Sequence, residues 1–207
     1  PALFVPLAER SGLMPALGEQ VLAQALLLRA RWQQQPRLAG LPLAINLSAL
    51  QLQDEAHLQR LLARVEAARL APGLLKFELT ESVLVEEPAR LRELQRRCQQ
   101  IGVATALDDF GTGYSSLALL GQLPFEQLKI DQHFVRQLPS SARGRKVART
   151  LIELGGRLDM EVIAEGVETA EHVQLLQAMG CENFQGYHFG RPMQPADFEA
   201  WIQQRPD

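Results

Sequence analysis

The chain has 207 residues, 46% of them hydrophobic, and a formal net charge of -3. That length and apolar content suffice for one continuous core, so residues 1–207 are expected to form a single domain. A net acidic chain offers no basic face for duplex DNA or RNA, nor for an anionic membrane, although a small anionic ligand can still bind at a local site.

The two cysteines, Cys98 and Cys181, lie far apart and outside any CxxC pair. A disulfide framework or cysteine zinc site therefore has little support, and a reducing, cytoplasmic setting fits best. No apolar run approaches the roughly 20 residues of a membrane span, and Pro1-Ala2-Leu3-Phe4 lacks the charged flank of a signal peptide.

Apolar positions over residues 7–31, including Val21, Leu22, Ala25 and Leu26, recur at helical spacing and predict an amphipathic helix. Residues 41–45 are a short apolar run ending in Asn46, read as a strand. Residues 50–70 return to helical spacing through Leu58, Leu61, Leu62 and Val65. The alternation then repeats: strand 74–79, helix 89–101, strand 103–107, short helix 115–120, strand 127–130, helix 143–158 and strand 161–164. A helix over 170–179, a last strand over 183–187 and a helix over 195–203, entered through a proline at its first turn, complete the chain.

Six strands alternating with helices predict an α/β fold with a parallel sheet, and their even spacing favours a closed (β/α) barrel over an open doubly wound sheet. No glycine fingerprint of the dinucleotide type follows the first strand. A barrel of this kind closes with eight strands, so two more are expected ahead of Pro1.

Each apolar run ends in or near a polar residue: Asn46, Glu78, Asp108 with Asp109, Lys129, Glu165 and Gln185. In a β/α barrel those ends converge on the face that holds active sites. Carboxylates so crowded repel unless they are protonated or neutralised by cations. Carboxylate and amide oxygens are hard ligands that select Mg²⁺ or Mn²⁺ over zinc, and His57, His133, His172 and His188 lack the paired spacing of zinc sites. Two ions about 3.5 to 4 Å apart would activate a water and stabilise the leaving oxygen of an in-line displacement at phosphorus, so phosphodiester hydrolysis is the expected chemistry. A lysine there fixes the water or offsets charge on the phosphoryl oxygens.

Singly, each residue has an ordinary explanation. Asn46 with Ser48 can turn the chain and cap the next helix, and Asp108-Asp109 before Phe110-Gly111 can make a turn. Lys129 with Asp131 can form a surface ion pair, and Glu165 and Glu168 suit the start of the helix that Thr169 opens. Recurrence at six equivalent strand ends favours one shared site instead.

Six motifs carry a family resemblance. Asn46-Leu47-Ser48, Glu78-Leu79-Thr80-Glu81-Ser82, Asp108-Asp109-Phe110-Gly111-Thr112-Gly113-Tyr114-Ser115-Ser116, Leu128-Lys129-Ile130-Asp131, Ala164-Glu165-Gly166-Val167-Glu168, and Gln185-Gly186-Tyr187 through Gly190-Arg191-Pro192 follow one another as in the EAL domain family. The opening Phe4-Val5-Pro6-Leu7-Ala8-Glu9 is similar as well. The run from Asp108 to Ser116 is the most specific, and the match covers essentially the whole chain.

The resemblance implies a TIM-like barrel of the EAL type and a bacterial second-messenger role in which cyclic di-GMP is hydrolysed to linear pGpG with two Mg²⁺ or Mn²⁺ ions, a signal tied to biofilm regulation. It implies a metal set of Asn46, Glu78, Asp108, Asp109 and Glu165. Lys129 resembles the residue that orients the attacking water, and Glu165 the general base. Glu81 is similar to the glutamate that braces the loop 110–116. Gln185 resembles a residue lining the site near the water, and Glu168 a further substrate contact. The family implies a homodimer, fusion to GGDEF or sensor domains, and a cytoplasmic position, including as the cytoplasmic part of a larger membrane protein.

The Glu-Ala-Leu motif that names the family is absent from residues 1–207. With it go a metal-ligand glutamate and a nearby arginine, on the two strands that the count lacks, so an N-terminal piece is expected before Pro1. The alternative to a phosphodiesterase is a catalytically inactive EAL-like receptor or regulatory domain that signals by binding cyclic di-GMP.

Overall fold

The structure, a computed structural model, describes residues 3–113 and 117–205. Pro1 and Ala2, and Tyr114, Ser115 and Ser116 of the most specific motif and of the expected short helix, lie outside the described residues.

The chain begins with helices α1 (Val5–Arg10), α2 (Met14–Trp32) and α3 (Pro36–Ala39), strand β1 (Leu43–Asn46), helices α4 (Ala49–Gln53) and α5 (Glu55–Ala68), and strand β2 (Leu75–Thr80). Next come α6 (Ser82–Glu86), α7 (Pro88–Gln100), β3 (Ala104–Phe110), α8 (Leu117–Leu120), β4 (Gln127–Ile130) and α9 (Gln132–Arg136). The last elements are α10 (Ala142–Arg157), β5 (Glu161–Ala164), α11 (Ala170–Gln177), β6 (Asn183–Phe184) and α12 (Pro195–Gln204).

All six expected strands are present, with four differences of detail. The helix expected over 7–31 is two helices, because Gly12 takes φ 68, a left-handed conformation that ends α1. The helix expected over 50–70 breaks at Asp54, whose carboxylate accepts the His57 amide at 2.9 Å and caps α5. Strand β3 runs three residues beyond the expected end and takes in Asp108 and Asp109. Strand β6 stops at Phe184, and the residues after it form turns in which the His188 and Phe189 amides bond to Val167 and Gly186 carbonyls. The four- and five-residue helices α3, α6 and α9 are too short to show an apolar period in sequence.

The chain resolves into two compact units, one of Pro1–Glu78, Ala89–Ala104 and Met193–Asp207, the other of Leu79–Pro88 and Thr105–Pro192. In the first, α5 buries Leu58, Leu61, Leu62 and Val65, and β1 pairs in parallel with β2 so that Asn46 stands opposite Glu78. Arg29 of α2 is fully buried; its guanidinium donates to the Ala39 and Leu41 carbonyls at 2.7 Å each and so closes the turn after α3. Burial pulls its pKa down. Helix α12 is fastened by Trp32, whose ring stacks on Phe198 at 5.5 Å and whose Nε1 donates to Glu199 at 2.7 Å.

In the second unit β3, β4, β5 and β6 lie side by side in chain order, all parallel. All four residues of β4 are buried, as the central strand of a parallel sheet requires. Ile130, Ala164 and Val167 from the sheet side pack against Val135, Ala148, Ile152 and Leu176. Fully burying each large side chain contributes about 1.5–3 kcal/mol. Because the strands are parallel and in register, their carboxyl-terminal ends emerge together. Asp108, Asp109, Lys129, Glu165 and Gln185 sit at those ends.

Candidate functional site

Neighbours in a strand normally face opposite ways, which ought to separate Asp108 from Asp109. A bulge removes that obstacle. Leu107 pairs with Leu128 and Phe110 with Ile130, so two residues of β3 stand against the single Lys129 of β4. Asp109 takes φ 54, and its amide bonds to the Asp108 carboxylate at 3.0 Å. A non-glycine residue in the left-handed region costs on the order of 1 kcal/mol, less for aspartate than for most residues.

Lys129 is 3% exposed, and its ammonium lies 3.1 Å from Asp108 Oδ1 and 2.7 Å from Glu165 Oε1. Glu165 comes one residue after β5, where its amide is fixed by the Ile130 carbonyl at 3.0 Å. Burial pushes the Glu165 carboxyl above its ordinary pKa; Lys129 opposes that rise, and the charges of Asp108 and Asp109 add to it.

Glu81, only 4% exposed, sits under the loop that follows β3. Its Oε2 accepts the amides of Gly111 at 2.8 Å and Gly113 at 3.1 Å. Gly111 has φ 97 and packs so closely on the Phe134 ring that a side chain there would collide with it. The loop is thus seated on Glu81 below and Phe134 beside, and a cleft bounded by Thr80, Ser82, Asp109, Thr112 and Gly113 opens next to it.

In the other unit, Asn46 ends β1 as the register partner of Glu78 in β2, and the Leu47 amide bonds to the Glu78 carbonyl at 2.8 Å. Gln185 is exposed; its amide bonds to Ala164 at 2.9 Å and its carbonyl accepts the Val167 amide at 3.1 Å, which ties the loop after Glu165 to the end of β6. The Glu168 carboxylate pairs with Arg136 at 3.2 Å, and its amide donates to His172 Nδ1 at 3.3 Å. Glu168 therefore stands apart from the acids around Lys129. Sequence reading passed over Gln51, although Ser48-Ala49-Leu50-Gln51 has the spacing of a capping box and the structure forms one.

The residues fit a divalent cation. Asp108, Asp109 and Glu165 each present an oxygen, and these lie within 4.8 Å of one another. Two of these three hard donors, Asp108 and Glu165, also contact the Lys129 ammonium, and the three form an acidic cluster that could hold a metal ion.

Parallel strands in chain order, with acids and a lysine gathered at their carboxyl-terminal ends, define an α/β protein of the TIM-like class. Residues 1–192 match the EAL domain family, and the chain belongs to it. Among solved structures it resembles PaMucR phosphodiesterase in its c-di-GMP complex, with a TM-score of 0.87 and 35% identity over 96% of this chain and 86% of that one. It also resembles the EAL domain of Mycobacterium smegmatis DcpA, with a TM-score of 0.84 and 32% identity over 93% of this chain and 86% of that one. Cyclic di-GMP phosphodiesterase NbdA of Pseudomonas aeruginosa is 36% identical over 205 residues, 98% of this chain and 26% of that protein. The chain spans about a quarter to a third of the length of the curated relatives it matches. Among the described residues no helix is long and apolar enough to cross a membrane.

Proposed function

We propose that residues 1–207 act as one EAL domain that hydrolyses cyclic di-GMP to linear pGpG with two divalent cations, Mg²⁺ or Mn²⁺. The observation that carries this reading is a buried lysine held between two carboxylates, Asp108 and Glu165, with Asp109 brought beside them by a bulge. The relatives named for this activity support the choice of substrate. In this reading Asn46, Glu78, Asp108, Asp109 and Glu165 are the cation ligands. Bound cations supply positive charge for the phosphoryl oxygens and make an attacking water more acidic.

The protein's own groups do the rest. Lys129 donates to Glu165 at 2.7 Å and to Asp108 at 3.1 Å, and its charge serves to orient the water and offset charge at phosphorus. Glu165 accepts the proton that the water gives up as its oxygen bonds to phosphorus; the bond from phosphorus to the ribose 3′ oxygen breaks, and that oxygen takes a proton from solvent. Glu81 keeps the loop after β3 in place and with it the left-handed backbone of Asp109. Gln185 and, further out, Glu168 contact the substrate. The working form is a cytoplasmic homodimer in which this domain is joined to a GGDEF or sensor domain.

Incubating the full-length protein with Mn²⁺ and cyclic di-GMP, and separating the products by chromatography, tests the reading; pGpG is expected. Cyclic di-GMP bound without turnover would assign the protein to the receptors instead.

A further inference from the structure

We propose that Gln51 is a positioning residue for Asn46, locked in one orientation by His57 and by the space that Gly18 leaves; this rests on the reading of Asn46 as a cation ligand. The two amides that follow Asn46 are both tied. Leu47 donates to the Glu78 carbonyl at 2.8 Å, and Ser48 donates to Gln51 Oε1 at 3.1 Å. The Ser48 hydroxyl adds a bond to the same Oε1 at 3.2 Å, and the Gln51 amide returns one to Ser48 Oγ at 3.3 Å. The backbone at the end of β1 is thereby clamped from β2 on one side and from Gln51 on the other.

The polarity of this clamp is fixed by a chain of donors and acceptors. A backbone N–H only donates, so the oxygen of the Gln51 amide must face Ser48 and its nitrogen must face away. That nitrogen lies 3.4 Å from His57 Nε2, which suits the tautomer with its proton on Nδ1, an atom 3.5 Å from the Glu19 carboxylate and with no hydrogen-bond partner of its own among the described residues. Arg60 in turn holds Glu19 at 3.1 Å and keeps its carboxyl below its ordinary pKa. Gln51 and His57 are 2% and 0% exposed, so neither can turn to water for an alternative partner.

Gly18, in the second turn of α2, completes the seat. A Cβ there would overlap the Gln51 amide nitrogen. Glycine inside a helix is less favourable than alanine. Its presence at the one point where α2 meets the Gln51 amide is accounted for by that contact.

Three variants of the full-length protein test the proposal: Gln51→Leu, Gln51→Glu and Gly18→Ala. The readouts are Mn²⁺ affinity by paramagnetic resonance, hydrogen exchange at the Ser48 amide, Tm, and kcat with KM. Gln51→Leu should weaken Mn²⁺ binding about tenfold or more, the usual effect of removing a group that orients a ligand, and speed exchange at Ser48. Gln51→Glu should restore both, since a carboxylate accepts the same Ser48 N–H and His57 can meet it with the ring proton on Nε2. Gly18→Ala should weaken Mn²⁺ binding in the direction of Gln51→Leu, while the helix preference of alanine offsets part of the Tm lost with the displaced Gln51 bonds. If Gln51→Leu fails to fold, Gly18→Ala and Gln51→Glu decide the matter. Parent-like Mn²⁺ affinity in Gly18→Ala and Gln51→Leu would overturn the proposal. A parent protein that binds Mn²⁺ but does not turn over cyclic di-GMP would overturn the hydrolytic reading and leave this one standing.

Discussion

Lys129 Nζ stands 2.7 Å from Glu165 Oε1, a contact between β4 and the residue that follows β5, in which the lysine is almost wholly removed from water. A lone buried ammonium would lose its proton or unfold its surroundings, so it is the carboxylates that make Lys129 tolerable. The reverse holds too: Asp108 and Glu165 share the charge of one lysine, which leaves net negative charge for cations to neutralise.

Replacing Lys129 by methionine keeps its volume and removes its charge. Turnover is expected to fall by about 100-fold or more, in line with the loss of a group acting on the reacting atoms. Stability of the metal-free protein in chemical denaturation should fall by about 3 kcal/mol at most, because Glu165 can take up a proton in place of its lost partner.

Glu81→Ala removes the acceptor of two loop amides, at 2.8 and 3.1 Å. Bonds to a charged acceptor are worth about 1.5–3 kcal/mol each. The expected outcome is faster hydrogen exchange at Gly111 and Gly113, a drop in stability of about 3–6 kcal/mol for the pair, and weaker Mn²⁺ binding as Asp109 leaves its left-handed conformation. Glu81→Gln keeps an acceptor oxygen and should recover most of the loss.

The raised pKa of Glu165 gives the metal-free and metal-bound proteins different pH dependence. Without metal, the folded state holds this proton more tightly than the unfolded chain. The contribution of Glu165 to stability is then fully present below the unfolded carboxylate pKa and lost as pH rises through the raised folded value. A cation needs the carboxylate free, so Mn²⁺ affinity should fall as pH drops through that same raised value. Calorimetric titration with Mn²⁺ in two buffers of different ionisation enthalpy should show proton release that grows toward lower pH and disappears in Glu165→Gln.

Much of this was legible in the chain before any coordinates. Strands β4 and β5 follow the expected segments 127–130 and 161–164 residue for residue, and β4 is buried at all four positions although Gln127 and Lys129 alternate with Leu128 and Ile130. Lys129 and Glu165 were placed by the same reading. How Asp108 and Asp109 face one site was not legible, because the bulge depends on pairing with β4 and on a left-handed aspartate that carries no local signature. The breaks at Gly12 and Asp54 are local chemistry that an apolar period overlooks. The buried neighbours of Gln51 come from α2 and α5, distant in sequence, so only its capping spacing was available to see.

Asp108→Ala removes one oxygen from the acid cluster and one partner of Lys129. Turnover of cyclic di-GMP should be abolished, and a calorimetric titration with Mn²⁺ should show weaker binding than in the parent protein.

The most direct measurement strips the full-length protein with EDTA and follows cyclic di-GMP by chromatography while Mn²⁺ or Mg²⁺ is added back. The expected result is no hydrolysis after stripping, and pGpG appearing in proportion to cation occupancy. Hydrolysis unaffected by EDTA, or none at any cation concentration with cyclic di-GMP bound, would contradict the assignment of Asp108, Asp109 and Glu165 to a hydrolytic cation site.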